Sequence, residues 1–600
     1  MFLCAKTRKK NGKLHTYYSI VENRRLDAAR VVQKHVLYLG EISDSHRTAW
    51  ERAIQAVVHE PEQPPRFQTI ALLPDTAKAP EAASPGPDYT VQIKLHELSL
   101  RRPRQWGAVW LATTLYEKLG LPEFWRELLP PSRKGTRWDL ILQTLVTYRL
   151  ISPGSEWRLH RHWFETTAIA DLLGVDLGAV DPHQLYGCLD LVVAHKAALF
   201  SHLNAKWKDL FNANYEILLY DLTSTYFERD TPVEAGDKRQ YGYSRDKRPD
   251  CQQVVIALVV TPDGLPLAYE VLAGNTSDKT TLKEFLAKIQ TQYGQAKRIW
   301  VMDRGIPTEE TLEFMRQTAP ATQYLVGTPK GRLTQLEAQL LKKPWQQVRE
   351  GVAVKLLPVE QELYVFAQSD ARVAKERAMR RRQLRSLIKQ LKQVQSQAPK
   401  RDAFLMKLGA AKAKHPAAWR LLEIQVPGPQ EEVSDTTFRF RLVREKLRQA
   451  RRREGRYLLR TNLSGDDPAK LWQIYMQLVR VEEAFKNLKG DLSIRPVFHQ
   501  KIERVEAHIF VAFLAYCLQV TLQRWLSGVA SGLTPRSVLE QLATVQMVDV
   551  HLPTTVAGKE IVLRRRTVPE KAVALILHQL KLELPAQPPP EIRISAKDLK

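Results

Sequence analysis

The spacing of hydrophobic and polar positions changes along the 600 residues, and each change marks a predicted region. Residues 1–58 hold two stretches rich in β-branched and aromatic side chains, Lys13–Val21 and Arg30–Leu39, which predict a small antiparallel β domain. The many prolines over 59–92 predict a linker. Helical periodicity with many tryptophans over 93–212 predicts a helical domain, for which binding of DNA ends is a reasonable hypothesis.

The pattern over 213–329 alternates between strand and helix. It predicts a strand ending at Asp221, followed by a hairpin of two strands at 252–261 and 264–272 and a helix at 279–290. A strand ending at Asp303, a helix at 307–317 and a last strand at 322–327 complete the predicted order. Three strands, then a helix and a strand parallel to the first, are typical of a ribonuclease-H-like core. Catalytic carboxylates gather at strand ends in such cores because the backbone there is rigid.

The remaining 271 residues complete the predicted fold class, a multidomain α/β protein. Residues 330–465 predict an insertion with short strands and a basic helix at 371–394, on which Leu384, Leu387, Ile388 and Leu391 form an apolar stripe. The core resumes over 466–527, where the apolar stretch Ile509–Val520 is too short to span a bilayer and predicts a buried helix. In the C-terminal region, 528–600, we predict a β-hairpin over 545–568 and a flexible proline-rich tail from Pro585.

Three acidic residues stand in settings that suggest metal chemistry. Asp221 and Asp303 each end an apolar run, and Glu482 lies in a helical stretch. Together they could hold two Mg²⁺ (or Mn²⁺) ions, which activate an oxygen nucleophile and stabilise a leaving oxygen in phosphodiester chemistry. The alternative is that each aspartate is a turn or capping residue. His160, His499 and His508 are scattered and predict no ligand set.

The net charge of the chain indicates the kind of partner that it binds. The net charge of +25 and the pI near 9.7 favour a polyanionic partner, most plausibly nucleic acid, although an unrelated basic enzyme would have the same charge. The four cysteines are dispersed, which argues against both zinc fingers and a disulfide framework and favours a reducing cytoplasm. The N-terminus becomes basic too soon for a signal peptide, and no membrane partner is expected.

Basic and aromatic side chains near the acidic residues are candidate DNA contacts. A spacing of seven residues separates Tyr475 from Glu482 and Glu482 from Lys489. If all three lie on one continuous helix, they share a face with Lys486. The alternative for this face is a solvated Glu–Lys pair.

Further candidates are the loop residues Arg245, Lys247 and Arg248 and the helical residues Arg380, Arg381 and Arg382. Asp246 and Asp250 in the loop could be additional ligands, but turn and pairing roles are expected. Basic residues of the first strand and turn, Lys6, Arg8, Lys9, Lys10 and Lys13, suit either a protected edge strand or a DNA contact.

Four motifs carry a family resemblance. They are Tyr-Asp-Leu-Thr-Ser-Thr-Tyr-Phe-Glu at 220–228, Gly-Tyr-Ser-Arg-Asp-Lys-Arg-Pro-Asp at 242–250, Val-Met-Asp-Arg-Gly at 301–305 and Val-Glu-Glu-Ala-Phe-Lys-Asn-Leu-Lys at 481–489. Together they resemble DDE-type bacterial insertion-sequence transposases of the insertion-sequence-four superfamily, sixteen-thirty-four branch. The resemblance implies a ribonuclease-H-like core with an insertion, and a catalytic triad of Asp221, Asp303 and Glu482. It also implies a homodimer in a synaptic complex with terminal inverted repeats and target DNA, acting in the bacterial cytoplasm at the nucleoid.

The same resemblance implies cleavage at the element's end followed by in-line attack of the freed 3′-hydroxyl on target DNA. The family's signature Tyr, Glu and Lys correspond to Tyr475, Glu482 and Lys489, whereas its Arg falls on Leu478 here. Two other functions stay open on the sequence. One is a metal-dependent nuclease without strand transfer, and the other is a DNA-binding regulator that does not catalyse.

Overall fold

A computed structural model describes residues 1–594 of the chain except for short stretches and one longer segment. The excepted residues are 11–12, 26–30, 60–90, 133–134, 176–180, 229–235, 277–281, 294–297, 304–305, 319–321, 329–331, 333–334, 337–338, 341, 398, 464–466, 496 and 557. The predicted linker at 59–92 therefore lies almost entirely outside the described residues.

The described residues form strands and helices throughout, which confirms the multidomain α/β class. The strands are β1 Phe2–Lys10, β2 Lys13–Arg25, β3 Val31–Gly40, β4 Ser99–Gln105, β5 Ile217–Tyr226, β6 Gln253–Val260, β7 Pro266–Ala273, β8 Ile299–Met302, β9 Gln323–Gly327, β10 Gln346–Arg349, β11 Val352–Val359, β12 Glu362–Ser369, β13 Leu422–Gln425, β14 Arg439–Leu442, β15 Arg456–Thr461, β16 Gln546–Pro553, β17 Lys559–Arg566 and β18 Glu591–Ile594.

The α-helices are α1 Asp44–His59, α2 Gly107–Lys118, α3 Leu121–Leu128, α4 Trp138–Ile151, α5 Glu156–Arg158, α6 Phe164–Thr166, α7 Ile169–Leu173, α8 Pro182–Val192, α9 Lys196–Phe211, α10 Leu282–Tyr293, α11 Glu309–Gln317, α12 Asp370–Gln397, α13 Arg401–Lys414, α14 Pro416–Trp419, α15 Arg444–Arg453, α16 Pro468–Met476, α17 Val479–Lys489, α18 Ile502–Val529, α19 Pro535–Leu542 and α20 Lys571–Leu580. The elements divide between two compact units. The first unit contains Met1–Asn214, Leu222–Thr276 and Glu482–Lys600, and the second contains Tyr215–Asp221 and Ser277–Val481.

The N-terminal part of the first unit is the predicted antiparallel sheet, with strand order β1-β2-β3. Helix α1 follows it and packs against α20 from the other end of the chain. Trp50 of α1 is buried, and its indole N–H donates to the Ser531 carbonyl across 3.2 Å. The N-terminal sheet is therefore anchored to the C-terminal region by a helix that the sequence pattern did not predict.

The centre of the first unit is helix α18, which packs against α4 and α8. Among the described residues it is the one helix long and apolar enough to cross a membrane, since it runs for 28 residues, but most of it is buried within the unit. Its Phe513 ring stacks on Tyr269 of β7 with centroids 3.9 Å apart. The prediction of a buried helix is confirmed, and the helix extends well beyond the apolar stretch Ile509–Val520 from which it was predicted.

A second sheet of the first unit has the order β18-β17-β16-β4. The predicted hairpin over 545–568 is confirmed as β16 and β17. The predicted flexible tail is wrong, because Pro585 and Gln587 are hydrogen-bonded to Arg566 and β18 then pairs with β17. Pairing with β17 gives this proline-rich segment backbone partners that its composition alone does not reveal.

Strand β5 begins in the second unit and ends in the first. In the first unit β5 continues beside the β6–β7 hairpin, which confirms the predicted hairpin. In the second unit the strand order is β10-β11-β12-β15-β9-β8-β5, with β8 parallel to both β5 and β9. The strands of the predicted insertion therefore extend a sheet, since β15 pairs antiparallel with β9.

The helical part of the insertion has its own core within the second unit. The predicted apolar stripe on α12 contributes the buried residues Leu384, Leu387 and Leu391, which pack with Phe404 and Phe438. The charged side of α12 is left outside this core, and Arg381 and Arg382 near its centre are exposed.

Candidate active site

Two parallel strands of the second unit bring Asp221 and Asp303 together. In the β5–β8 pairing, Tyr220 lies opposite Met302, and each aspartate is the next residue along its strand. Neighbouring strands lie about 4.8 Å apart, so two carboxylates at equivalent positions are close neighbours. The apolar residues before them fix this register, because Leu218, Leu219 and Tyr220 are fully buried.

The structure corrects one detail of this pair. Asp303 follows the last residue of β8, as predicted, but Asp221 is not at a strand end because β5 continues to Tyr226. The continuation has a partner on its other side, where the Phe227 N–H donates to the Gln252 carbonyl across 2.9 Å. Asp221 therefore lies where β5 leaves β8 and continues beside β6.

The donor set suits a hard divalent cation. Asp303 is exposed and, among the described residues, has no hydrogen-bond or ion-pair partner, while Asp221 is partly buried beside it. Two carboxylates held side by side repel each other, and a cation between them relieves that repulsion. Carboxylate oxygens are the ligands that Mg²⁺ and Mn²⁺ prefer. The chemistry of the pair thus fits such an ion.

Helix α17 carries Glu482, which begins the last segment of the first unit. The helix buries Val481, Phe485 and Leu488 and leaves Glu482 and Lys486 exposed. Neither of these two has an ion-pair or hydrogen-bond partner within the described part of the chain, so the alternative of a solvated Glu–Lys pair is not formed. Glu482 is therefore a carboxylate available to an external ligand.

Tyr475 does not lie on the Glu482 helix, so the prediction of one continuous face is wrong. It belongs to α16, and the chain turns at Gln477 and Leu478 before α17 starts. The Leu478 N–H bonds to the Tyr475 carbonyl and the Arg480 N–H to the Gln477 carbonyl, which are i to i+3 bonds of a tightened turn. Leu478 is buried, which explains the apolar residue at the position of the family's Arg.

Lys489 is held by an acidic residue of the basic loop. Its ammonium group donates to Asp246 across 2.9 Å, and Arg495 forms a second ion pair with the same carboxylate. The Asp246 side chain is 7% exposed and that of Lys489 13% exposed. Burial lowers the pKa of Lys489, and the bond to Asp246 opposes that shift. Asp246 therefore has the expected pairing role, and Arg495 is a member of this cluster that the sequence pattern did not reveal.

The loop itself is fixed by close backbone packing. A Cβ atom on Gly242 would lie 2.2 Å from the Gly274 carbonyl oxygen, and one on Gly274 would lie 2.0 Å from that of Gln253. The Gln253 amide also donates to the Tyr243 and Gly274 carbonyls, at 3.1 and 2.9 Å. The glycines allow this approach because they lack a side chain. The tip of the loop is thereby held in place.

The predicted basic residues of the loop differ in their partners. Arg248 binds Asp250 at 3.0 Å and lies over the Tyr226 ring, which confirms a pairing role for Asp250. Lys247 is exposed and has a φ of +61°, in the left-handed region. Arg245 is partly buried on the same turn. Lys247 thus presents the most accessible charge of the three.

The arginines of α12 also divide. Arg380 forms an ion pair of 2.7 Å with the buried Glu454, whereas Arg381 and Arg382 are exposed. Helix α15, Arg444–Arg453, adds a dense set of exposed basic residues that the sequence analysis did not single out. The run Arg451-Arg452-Arg453 was the available signal.

Two of the histidines that the sequence places far apart, His499 and His508, come together in the fold. Donor atoms of Glu156, His499 and His508 all lie within 4.8 Å of one another in the first unit. Arg149 is also buried there, 3.4 Å from His508 and 4.0 Å from Glu156. Because the guanidinium already balances the carboxylate, this group is a buried ion-pair cluster that does not need a metal.

Comparisons with known families decide the identity. A family model described as the transposase DDE domain matches residues 213–518, slightly more than half of the chain. The chain belongs to the DDE transposases. A second model, the N-terminal domain of IS1634 family transposases, matches residues 4–65 and assigns this DDE transposase to the IS1634 branch. DDE transposases are DNA-acting enzymes that use divalent metal ions.

Other comparisons add little to this assignment. Among solved structures the transposase is similar to a piggyBac transposase synaptic complex with hairpin DNA, determined by cryo-EM. The two share 8% identity and a TM-score of 0.32 over 76% of this chain and 82% of that chain. A TM-score this low supports no conclusion about the fold. No curated protein matches the chain.

Proposed function

We propose that this transposase binds the ends of its insertion sequence, cleaves them and joins the 3′ ends to target DNA by two-metal-ion phosphodiester chemistry. The observation that carries the proposal is the register of Tyr220 with Met302, which sets Asp221 and Asp303 on neighbouring parallel strands. The exposed and unpartnered state of Asp303 and Glu482 among the described residues supports it further.

The core is proposed to be ribonuclease-H-like. Supporting this, β5 has the β6–β7 hairpin on one side in the first unit and the parallel strands β8 and β9 on the other in the second unit. Helix α10 connects β7 to β8, in the predicted order of three strands, a helix and a parallel strand.

Each residue has a distinct proposed task. Asp221, Asp303 and Glu482 would hold Mg²⁺ or Mn²⁺, and such ions lower the pKa of an attacking hydroxyl group and stabilise the departing oxygen. Cationic and phenolic side chains are proposed to contact DNA phosphates and so to position the strand. They are Tyr475, Lys486, Lys489, Arg245, Lys247, Arg248, Arg380, Arg381 and Arg382. The exposed members of this set are Lys247, Lys486, Arg381 and Arg382.

The partners proposed are the terminal inverted repeats and target DNA, bound by a homodimer in a synaptic complex in the cytoplasm. The net charge of +25 supports a DNA partner, because a polyanion is attracted to so basic a protein. The homodimer follows from the need to hold two element ends together before joining them.

A strand-transfer assay separates the proposal from the nuclease alternative. Labelled duplexes carrying the element's own end are incubated with the transposase, a supercoiled target plasmid and Mg²⁺. Cleavage of the duplex, together with covalent joining of the labelled end to the plasmid, supports transposition. Cleavage without joined product, with both ends present, supports a nuclease, and binding without cleavage in Mg²⁺ or Mn²⁺ supports a regulator.

A further inference from the structure

The second unit contains a cavity of about 630 Å³ between α12, α15 and strand β15. We call it the insertion cavity. Its lining includes six cationic side chains, Arg372, Arg380, Arg420, Lys446, Arg453 and Arg456. Two carboxylates, Glu376 and Glu454, line the same cavity, so the cationic charge is in clear excess. A concave wall with one sign of charge concentrates the electrostatic potential and attracts ions of the opposite sign.

Some of these cationic side chains form ion pairs within the wall of the cavity. Arg380 pairs with Glu454 at 2.7 Å, and Arg372 pairs with Glu376 at 2.8 Å while its guanidinium lies 4.0 Å above the Tyr457 ring. These contacts join α12 to Tyr457 of β15 and to Glu454, which directly follows α15. They therefore account for both carboxylates of the cavity.

Other cations of the cavity are not neutralised in this way. Arg420 and Lys446 are exposed and have no ion-pair partner within the described part of the chain. Burial lowers the pKa of Arg380, Glu454 partly opposes this, and the nearby Arg451 and Arg377 lower it further. The repulsion among these guanidinium groups would be relieved by an anion in the cavity.

Helix α15 has no structural reason for so much charge. None of its ten residues is fully buried, and five arginines and a lysine stand against the single acidic Glu445. The apolar side of the helix, Leu447 and Ala450, packs against the core of the insertion, and that packing does not require six cations at the other positions, so we attribute the charge to a ligand. Arginine forks and tyrosine hydroxyls are groups that bind phosphate oxygens, and Tyr457 and Tyr475 both line the cavity.

We infer that the insertion cavity binds the sugar-phosphate backbone of one DNA strand without reading its sequence. The inference rests on the proposed function in one respect, that the transposase binds DNA. It gives Tyr475 a role that does not require a shared helix face with Glu482. It also makes the helical insertion a DNA-contacting element, with Arg420 and Lys446 as contacts that form no ion pair within the described residues.

The test is a fluorescence anisotropy titration of the full-length transposase with a labelled 30-base-pair duplex at several salt concentrations. The test variant is Arg420→Gln/Lys446→Gln. The matched control is Lys412→Gln/Lys414→Gln, which removes the same charge from exposed positions on α13 of the same unit. We expect the test variant to weaken binding about tenfold near 0.15 M salt and to reduce the slope of log K against log salt by about two, since each lost phosphate contact changes it by about 0.9. The control should change affinity less than about twofold, and all variants should melt at the same temperature.

Two further arms make the outcome decisive. The loss should be equal for an arbitrary duplex and for the element's own end, and a loss confined to the element's end would overturn backbone recognition. Equal affinities for the test and control variants would overturn the cavity as a DNA site. In that case, cleavage and end joining by the wild type with Mg²⁺ would still support the proposed function. Conversely, an Asp303→Ala variant that binds DNA normally without cleaving concerns the active site and leaves the cavity inference standing.

Discussion

Lys489 donates a hydrogen bond to Asp246 across 2.9 Å, although the two residues are 243 positions apart in the chain. Arg495 binds the same carboxylate, so one acidic residue of the 242–250 loop holds two cations that follow Glu482. The contact fixes the position of an ammonium group that the sequence analysis assigned to DNA phosphates. Asp246 is therefore a positioning residue for Lys489.

Removing Asp246 should destabilise the first unit. Asp246→Ala leaves the largely buried Lys489 ammonium without its partner, and breaking such a pair costs about 3 kcal/mol. The free energy of unfolding should fall by about that amount, and a second change, Lys489→Met, should restore much of it. The control is Asp250→Ala, whose carboxylate pairs with Arg248 at an exposed position and should leave stability unchanged. Additive effects of the Asp246 and Lys489 changes would contradict the coupling.

Asp303 should be a direct ligand of the catalytic metal. Asp303→Cys replaces a hard oxygen donor with a thiolate, which suits Mg²⁺ poorly and Mn²⁺ better. We expect cleavage to fall at least about 1,000-fold with Mg²⁺ and to recover at least about tenfold with Mn²⁺, since metal-assisted activation supplies several kcal/mol. Asp263→Cys, in the β6–β7 turn, is the control and should cleave normally with either ion. Equal loss with both ions would count against direct ligation.

Replacing Lys247 with glycine should remove a positive charge without destabilising the fold. Its φ of +61° favours glycine, so Lys247→Gly removes the ammonium group and relieves the backbone at once. We expect duplex DNA to bind about threefold more weakly, with a salt slope reduced by about one. Lys581→Gly is the matched control, because Lys581 is exposed and has a φ of +51°. If both variants bind DNA equally well, Lys247 does not contact phosphate.

Glu156 should make stability depend on pH in a defined window. Burial favours its protonated form, but His499, His508 and Arg149 outweigh this and lower its pKa from 4.5 to about 2. A carboxyl group with a lowered pKa stabilises the fold above its unfolded pKa, and the contribution disappears as the pH falls from about 5 to about 2. Glu156→Gln should therefore lose about 3 kcal/mol at pH 6 and progressively less towards pH 3, measured by thermal unfolding at each pH. A wild-type-to-variant difference that stays constant with pH would contradict the lowered pKa.

Local patterns predicted much of the core correctly. The buried runs before Asp221 and Asp303 and the turn signal between β6 and β7 depend on neighbours in sequence, and these elements are confirmed. The end of β5 could not be read in the same way. The strand continues past Asp221 because β6 supplies hydrogen-bond partners, and those partners are set by the tertiary fold.

Contacts between distant segments account for the remaining differences. The spacing of Tyr475 and Glu482 predicts one face only if the helix is regular, and the turn at Gln477 breaks that condition. Arg104 of β4 binds Asp549 of β16 through two hydrogen bonds, at 3.1 and 2.8 Å, across 445 positions. No period in the sequence relates such pairs, so the cluster around Asp246 and the ordered tail could not be predicted either.

We propose that Glu482 acts with Asp221 and Asp303 as the third catalytic carboxylate. Glu482→Gln and Glu483→Gln change neighbouring carboxylates on α17 that point about 100° apart. The most direct measurement is cleavage of a labelled element end by wild type and both variants in Mg²⁺, with DNA binding measured in parallel. The account predicts that Glu482→Gln binds DNA normally but does not cleave, while Glu483→Gln keeps most of its activity. Normal cleavage by Glu482→Gln would contradict the assignment.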